Sequence, residues 1–361
     1  MTKVSDYKIK RRRRRNSVPT TASLDDVARH AGVSTATVSR VLNKPEIVSE
    51  KNRAAVNLSI KTLGYIPDGA ARALASRHTR TIGAVVPTLD NAIFATGIQG
   101  LQRQLKKHGY TLFVASHEYD LDEEFNEVQS LLRQGVDGIL LIGAIHNPEL
   151  PELLQQKNIP FVNCWTFNPD SPEPNIGFDN QKAAKKLAEY LLDLGHQQIA
   201  IIAGRTDNND RAMNRLLGFK EALKERGVEI PEDEIMERSY SVRQGREAMR
   251  ILLNHKSPPT AVICGNDILA LGAIAECQSA GIEVPGEVSI SGFDDLDLSS
   301  QIVPPMTTIR VPASEMGERA ADFLISQIRN ESTLQHIEID ADLMVRETTG
   351  KPREKALIIA K

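Results

Sequence analysis

Apolar residues recur at intervals of three and four through Leu24, Val27, Ala28 and Ala31, which predicts a short helix with a narrow apolar stripe. Ser23 is placed to cap it, and Asp26 three residues on completes a capping box. Gly32 ends the helix, because glycine takes the left-handed conformation that turns the chain sharply. Val33 then plugs the corner and Ser34 caps a second helix whose Val38, Val41 and Leu42 face back. Two helices joined this way have helix-turn-helix geometry, which presents the start of the second helix to base edges in a DNA groove. Beyond Pro45, Ser49 is placed to cap a third helix, with Val56, Ile60 and Leu63 at i, i+4 and i+7 and Gly64 as its stop. Three facing stripes close a small core that would be marginal alone. Asp68 caps a further two-turn segment, GAARALASR, ending near Arg77. It is too short to be stable unaided, and its alanines are helix formers rather than a passive tether. A hinge of this kind, folding on DNA, would offer Leu74 as an apolar wedge for the minor groove.

From Thr81 the pattern changes to strands alternating with helices. Strands are expected over 81–87, 110–116, 136–143 and 159–164, with helices near 94–107, 122–134 and 149–157. A second series places strands near 198–203, 234–239, 260–264 and 287–292, and helices near 181–194, 211–226, 243–254 and 267–280. Alternation of this kind forces parallel sheets with helices on both faces, because each crossover returns to the same edge. The expected fold is therefore an α/β body of two doubly wound parallel-sheet lobes behind an N-terminal all-α helix-turn-helix head.

Charge sharpens that division. The net charge of -3 conceals 17 Lys and Arg against 6 Asp and Glu in residues 1–80, and 27 against 41 in the remainder. A basic head on an acidic body implies that the head meets a polyanion and the body does not. The segment before Leu24, with Lys8, Lys10 and Arg11 to Arg15, has almost nothing to bury and reads as a disordered tail, either solubilising or adding phosphate contacts. Cys164, Cys264 and Cys277 follow no metal-ligand spacing and read as reduced thiols of a cytoplasmic protein. Neither a membrane span nor a secretory segment is evident.

Ligands of parallel sheets bind beyond the carboxyl ends of the strands. The loops there carry Asp90, Asn91 and Phe94; Trp165; Asp179; Arg211 and Arg215; Asn266 and Asp267; and Asp294 and Asp295. Amides, charges and aromatic faces together suit a polyhydroxylated or acidic small molecule. Asp179 and Asp267 serve equally as helix caps, and Trp165 as core. Arg211 and Arg215 share a helix face one turn apart, an arrangement that suits a carboxylate or phosphate, such as that of a sugar acid, unless Arg211 pairs with Asp207, Asp210 or another acid and only Arg215 reaches the ligand, where it could equally grip neutral hydroxyls. No nucleophile elbow, phosphate loop or dinucleotide fingerprint is present, so an enzyme is not expected. No cofactor is called for. His196 and His255 follow helix ends, where capping or solvation accounts for them.

The run DDVARHAGVSTATVSRVLN, VSE, LGYIP and IGAVVP, in this order and spacing, closely resembles the lac repressor (LacI/GalR) family of bacterial transcription regulators. The likeness continues through GFDN, NDRAMNRLLGF, GNDILALGA, VPGEVSISGFDD and PPMTTIR. The resemblance implies an effector-controlled repressor, of a carbohydrate-utilisation operon, that binds a pseudo-palindromic double-stranded operator as a homodimer. The leucine-heptad tail of the tetrameric founding member is missing. The resemblance puts Thr35, Ala36 and Arg40 at base edges, Ser34, Thr37, Ser39 and Asn43 at or near phosphates, and Leu74 with Ala71 at the minor-groove wedge. It puts Phe94, Trp165, Asp179, Arg215, Tyr240, Asn266 and Asp294 on the effector, a sugar or sugar acid, and Arg211 joins them on its position. The implied divisions are a tail over 1–22, the head over 23–67, a hinge over 68–79, a periplasmic-binding-protein-like first lobe over 80–179 plus 311–339, a second over 180–310 plus 340–352, and a tail over 353–361. A small-molecule binding protein without a DNA role is the competing reading, and the basic head weighs against it.

Overall fold

The computed structural model describes residues 22–66, 78–331 and 335–354. It divides into two compact units, residues 1–77 and 78–361.

In the first unit α1 (Leu24–Ala31), α2 (Thr35–Asn43) and α3 (Glu50–Leu63) follow the expected stripes. The capping box forms: Ser23 Oγ accepts from the Asp26 amide at 3.2 Å, and the Ser23 amide donates to Asp26 Oδ2 at 3.0 Å. Gly32 is left-handed at φ 66°, and Ser34 Oγ accepts from the Thr37 amide. Ser49, by contrast, makes no capping hydrogen bond through its side chain. Val27, Ala28, Val38, Val41 and Val56 form the buried core. Ser59 is buried with them because its hydroxyl is satisfied twice, donating to the Ala55 carbonyl and pairing with His30 Nδ1 at 2.9 Å, which ties α3 to α1. The segment holding Asp68, Ala71 and Leu74 lies outside the described residues.

The second unit opens with β1 (Thr81–Val86), α4 (Ala92–Lys107), β2 (Thr111–Ser116), α5 (Leu121–Arg133), β3 (Gly138–Ile142), α6 (Leu150–Gln156), β4 (Phe161–Cys164) and β5 (Asn175–Gly177). There follow α7 (Asn180–Asp193), β6 (Ile199–Gly204), α8 (Asp210–Glu225), β7 (Ile235–Arg238), α9 (Val242–Leu253), β8 (Ala261–Cys264), α10 (Asp267–Ala280) and β9 (Ser289–Ser291). The chain ends through β10 (Thr308–Arg310), α11 (Ala313–Ile328), β11 (His336–Glu338) and β12 (Asp342–Met344). Six strands form one parallel sheet in the order β11-β5-β4-β3-β1-β2, and four form another in the order β7-β6-β8-β9. The strands β3, β6 and β8 are buried along their whole length, as two-sided cover requires. Between the sheets, β10 and β12 pair antiparallel.

The chain passes from the first sheet to the second between β5 and α7, returns through β10 into α11, and passes again between β11 and β12. The pairs α4 with α11, α7 with α8 and α9 with α10 make the densest helix packing, and glycine sets how close they come. A Cβ at Gly100 would collide with the Ser314 carbonyl, and one at Gly317 with the Gly97 carbonyl. Two residues differ from expectation. His196 is neither a cap nor solvated; it is buried, bridging Thr260 Oγ1 and the Gly350 carbonyl at 2.9 Å each. Asp267 is not the cap of α10, a role taken by Asn266, whose Oδ1 accepts from the Leu269 amide. Its carboxylate instead pins the 296–308 loop, accepting from Leu296 N, Ser299 Oγ and Thr308 Oγ1.

Gly100→Ala is expected to cost about 1–3 kcal/mol through overpacking at the α4–α11 crossing. Urea unfolding reads this as a lower midpoint at unchanged slope. An unchanged midpoint would show that the crossing is looser than described.

Candidate functional site

On the head, Ser34, Thr35, Ala36, Ser39, Arg40 and Asn43 are exposed along one side of α2, and Thr37 is half-buried. The opposite side supplies Val38 and Val41 to the core, so burial fixes which residues are left to face outward. Ser34 Oγ and Thr37 Oγ1 are 2.9 Å apart, and the Asn43 amide donates to the Ser39 carbonyl, leaving Arg40 as the long cationic side chain of this face. Ala71 and Leu74 lie outside the described residues.

In the body the strand ends of both sheets meet at a cavity lined by Asn91, Ile93, Phe94, Tyr119, Trp165, Asn209, Arg211, Arg215, Tyr240, Asn266 and Asp294. Phe94, Trp165, Arg211, Arg215, Tyr240, Asn266 and Asp294 are thereby brought together. Asp179 is not. It caps α7 by accepting from the Lys182 amide at 2.9 Å and lines a separate cleft with Lys182, Lys186 and Glu338. The effector set expected from the sequence omits Ile93, Tyr119 and Asn209, and also Asn91, which the sequence marks only as a residue of a strand-end loop. Asn91 and Asn209 each cap the helix after a strand, α4 and α8, which is the signal that finds such residues; Tyr119 sits in the loop after β2.

The cations are already engaged. Arg215, 7% exposed, donates from Nε to Asn180 Oδ1 at 2.9 Å and from Nη1 to the Gly265 carbonyl at 3.0 Å and Asp294 Oδ1 at 3.3 Å. Its guanidinium lies 3.8 Å from the Phe293 ring centroid. Arg211 donates from Nη1 to Asp210 Oδ1 at 2.8 Å and to the Ile142 carbonyl at 3.0 Å, while Asp210 Oδ2 accepts from the Ala144 amide. Of the two readings of these arginines, the structure shows the one in which Arg211 pairs with Asp210; Arg215 has Asp294 beside it, and the two pairs balance in charge where Asp294 is ionised.

Among the described residues that line the cavity, two buried donors have no partner, Trp165 Nε1 and Asn266 Nδ2. Asn266 spends its oxygen on the α10 cap, which leaves its amide nitrogen for the cavity. Each such donor costs about 1–3 kcal/mol while unmet, so the lining favours a molecule that brings oxygen acceptors. The aromatic faces of Phe94, Trp165, Tyr119 and Tyr240 provide the apolar part, with Phe94 and Trp165 edge to face at 5.7 Å. Burial raises both tyrosine phenols above their ordinary range, so they are neutral hydrogen-bonding groups. Only about 20 Å³ is open to a water-sized body.

Residues 79–347 match the family described as periplasmic binding proteins and sugar binding domain of LacI family, and residues 23–68 match bacterial regulatory proteins, lacI family. The chain belongs to the LacI family. This LacI-family chain is 36% identical over 316 residues to the ribose operon repressor of Escherichia coli (strain K12), covering 87% of itself and 95% of that protein. It is 34% identical over 333 residues to the transcriptional repressor PurR of Aliivibrio salmonicida (strain LFI1238), covering 91% and 99%. Among solved structures, the lac repressor dimer bound to operator and the anti-inducer ONPF matches with a TM-score of 0.82 at 27% identity, over 92% of this chain and 100% of that one. A complex of the regulator CelR with cellobiose matches with a TM-score of 0.67 at 30% identity, over 91% and 99%. Both halves of a repressor are thus present: a helix-turn-helix head for DNA and an effector-binding body. The relatives are repressors, not enzymes. Among the described residues no helix is long and apolar enough to cross a membrane, and no His, Cys, Asp and Glu cluster is arranged for a metal.

Burial raises the Asp294 carboxyl to about 7 from an ordinary 3.8, against the opposing pull of Arg215. Between these values the folded chain keeps a proton that the unfolded chain has lost, so the Asp294 contribution to stability falls as pH rises through that window and is flat above it. Wild-type stability minus that of Asp294→Asn should follow this course in denaturant titrations. A difference that instead rises over the same window would mean that the pair with Arg215 outweighs burial.

Proposed function

We propose that this regulator represses a carbohydrate-utilisation operon and that its effector is a neutral sugar. The observation that carries the reading is the charge balance of the cavity. With Arg211 matched by Asp210 and Arg215 by Asp294, whose carboxyl is ionised above about pH 7, an acidic ligand there would add an uncompensated buried charge, at a cost of several kcal/mol. A neutral polyol does not. Its vicinal hydroxyls can accept from Arg215 and donate to Asp294, its oxygens can meet Trp165 Nε1 and Asn266 Nδ2, and its apolar face can lie on the aromatic rings. The similarity to a ribose operon repressor and to a cellobiose-bound regulator supports the same ligand class.

On the DNA side, Thr35, Ala36 and Arg40 read base edges, while Ser34, Thr37, Ser39 and Asn43 lie at or near phosphates. Leu74, with Ala71 beside it, wedges into the minor groove at the centre of a pseudo-palindromic operator. Two copies of the chain supply the two heads, in keeping with the dimer of the related lac repressor structure. Exposed Phe113 and Val114 on the edge strand β2 offer apolar surface for such pairing. The setting is the cytoplasm, where operator DNA is met.

Calorimetric titration of the full chain with D-ribose, D-glucose and D-galactose, each beside its aldonic acid, tests the effector class. A neutral sugar should bind at least tenfold more tightly than its acid. Tight binding of an aldonate while every neutral sugar fails would overturn the reading. In Arg215→Ala, where Asp294 is left protonated, loss of the charged donor should lower sugar affinity by about 1.5–3 kcal/mol. For base reading, Arg40→Ala should relax preference at one symmetric pair of operator positions, worth about 1–3 kcal/mol, in selection from random duplexes. Recovery of an identical site by both proteins would remove Arg40 from the base-reading set.

A further inference from the structure

Asn180 is not among the residues that line the cavity, yet it touches two that are. It is the first residue of α7, where the chain has just left β5, and it is 3% exposed. Its amide nitrogen donates to the Trp165 carbonyl at 2.8 Å, and its amide oxygen accepts from Arg215 Nε at 2.9 Å. The orientation of the amide is fixed by these partners, because a carbonyl only accepts and a guanidinium only donates.

The two partners belong to opposite walls. Trp165 follows β4 of the first sheet in a left-handed conformation, φ 64°, that a bulky residue keeps only when its surroundings hold it. Its ring is seated against Phe94 and over Gly97, where any Cβ would collide with the indole. Arg215 belongs to α8 in the second series, and α8 is pressed onto α7 where Gly218 meets the Gln181 carbonyl. One side chain, placed at a crossing between the sheets, therefore bonds to the indole wall and to the cation.

We propose that Asn180 is a positioning residue for effector recognition: it holds Trp165 and Arg215 in register without touching the effector. For the class of ligand alone this rests on the neutral-sugar reading. No other residue type of this size meets both partners. Alanine would leave the Trp165 carbonyl and Arg215 Nε buried without this bond. Aspartate would keep the acceptor for Arg215 while turning a carboxylate oxygen on the Trp165 carbonyl, so the two halves of the brace can be separated.

Trp165 is the single tryptophan of the chain, so acrylamide quenching of full-length protein reports on its wall with no effector present. Both Asn180→Ala and Asn180→Asp should raise the quenching constant at least threefold, with far-UV dichroism matching wild type. If the alanine variant fails to fold, the aspartate variant carries this test. Titration with D-ribose, D-glucose and D-galactose should show affinity lost at least tenfold in Asn180→Ala and by less in Asn180→Asp, which keeps the Arg215 bond. A general loss of stability would lower melting temperature without separating the two variants in this way. Quenching equal to wild type in both variants, or undiminished sugar affinity in Asn180→Ala, would overturn the proposal. If wild type binds none of the sugars, the neutral-sugar reading fails by itself, and quenching alone decides whether Asn180 holds the wall.

Discussion

A guanidinium buried where two sheets face each other is the constraint around which this body is built. Stranded in a low-dielectric interior, a charge of that kind costs several kcal/mol, and Arg215 escapes the cost only because its donors meet distinct acceptors. Asp294 supplies the countercharge from the loop after β9, Gly265 a carbonyl from the end of β8, Asn180 an amide from the start of α7, and Phe293 a ring face. Apart from the adjacent Phe293 and Asp294, none of these is near the others in sequence. The fold assembles them at strand ends because parallel sheets with helical crossovers bring all their carboxyl-end loops to one side. Arg211 repeats the arrangement on a smaller scale, with Asp210 as its acid and the Ile142 carbonyl across the cleft.

The same constraint shapes the chemistry left over for a ligand. Once both cations are matched, what the cavity still offers is directional: two unmet donors, two neutral phenols and flat apolar faces. A count of arginines near a pocket does not by itself give its charge, since acids are buried beside them.

Much of this was legible in the sequence, and the remainder failed for identifiable reasons. The long strands and helices follow from periodicity, because a buried strand such as Gly138–Ile142 or a striped helix such as Leu121–Arg133 carries its own signal. Three-residue strands such as β5 and β11 carry none; they exist only because each pairs with its neighbour. Cap assignment within Asn266–Asp267 could not be read locally, since it is decided by Ser299 and Thr308, whose hydroxyls claim Asp267 from about thirty to forty residues away. Asp179 takes the capping role that its sequence position equally allowed, accepting from the Lys182 amide. Tyr119 was missed because its loop is short and its left-handed backbone, φ 65°, has no sequence signature in a tyrosine. On the head, the capping box and the Gly32 turn needed only neighbours within four residues, and both were read directly.

A repressor of this family couples a binding event in the body to the affinity of the head. The direct measurement is operator affinity by fluorescence anisotropy of the full chain, with and without a saturating sugar found to bind the body. Coupling of about 1–3 kcal/mol predicts a shift of roughly 5–150-fold, matched by an equal shift in sugar affinity when operator is present. A sugar that binds while operator affinity stays unchanged would contradict the account.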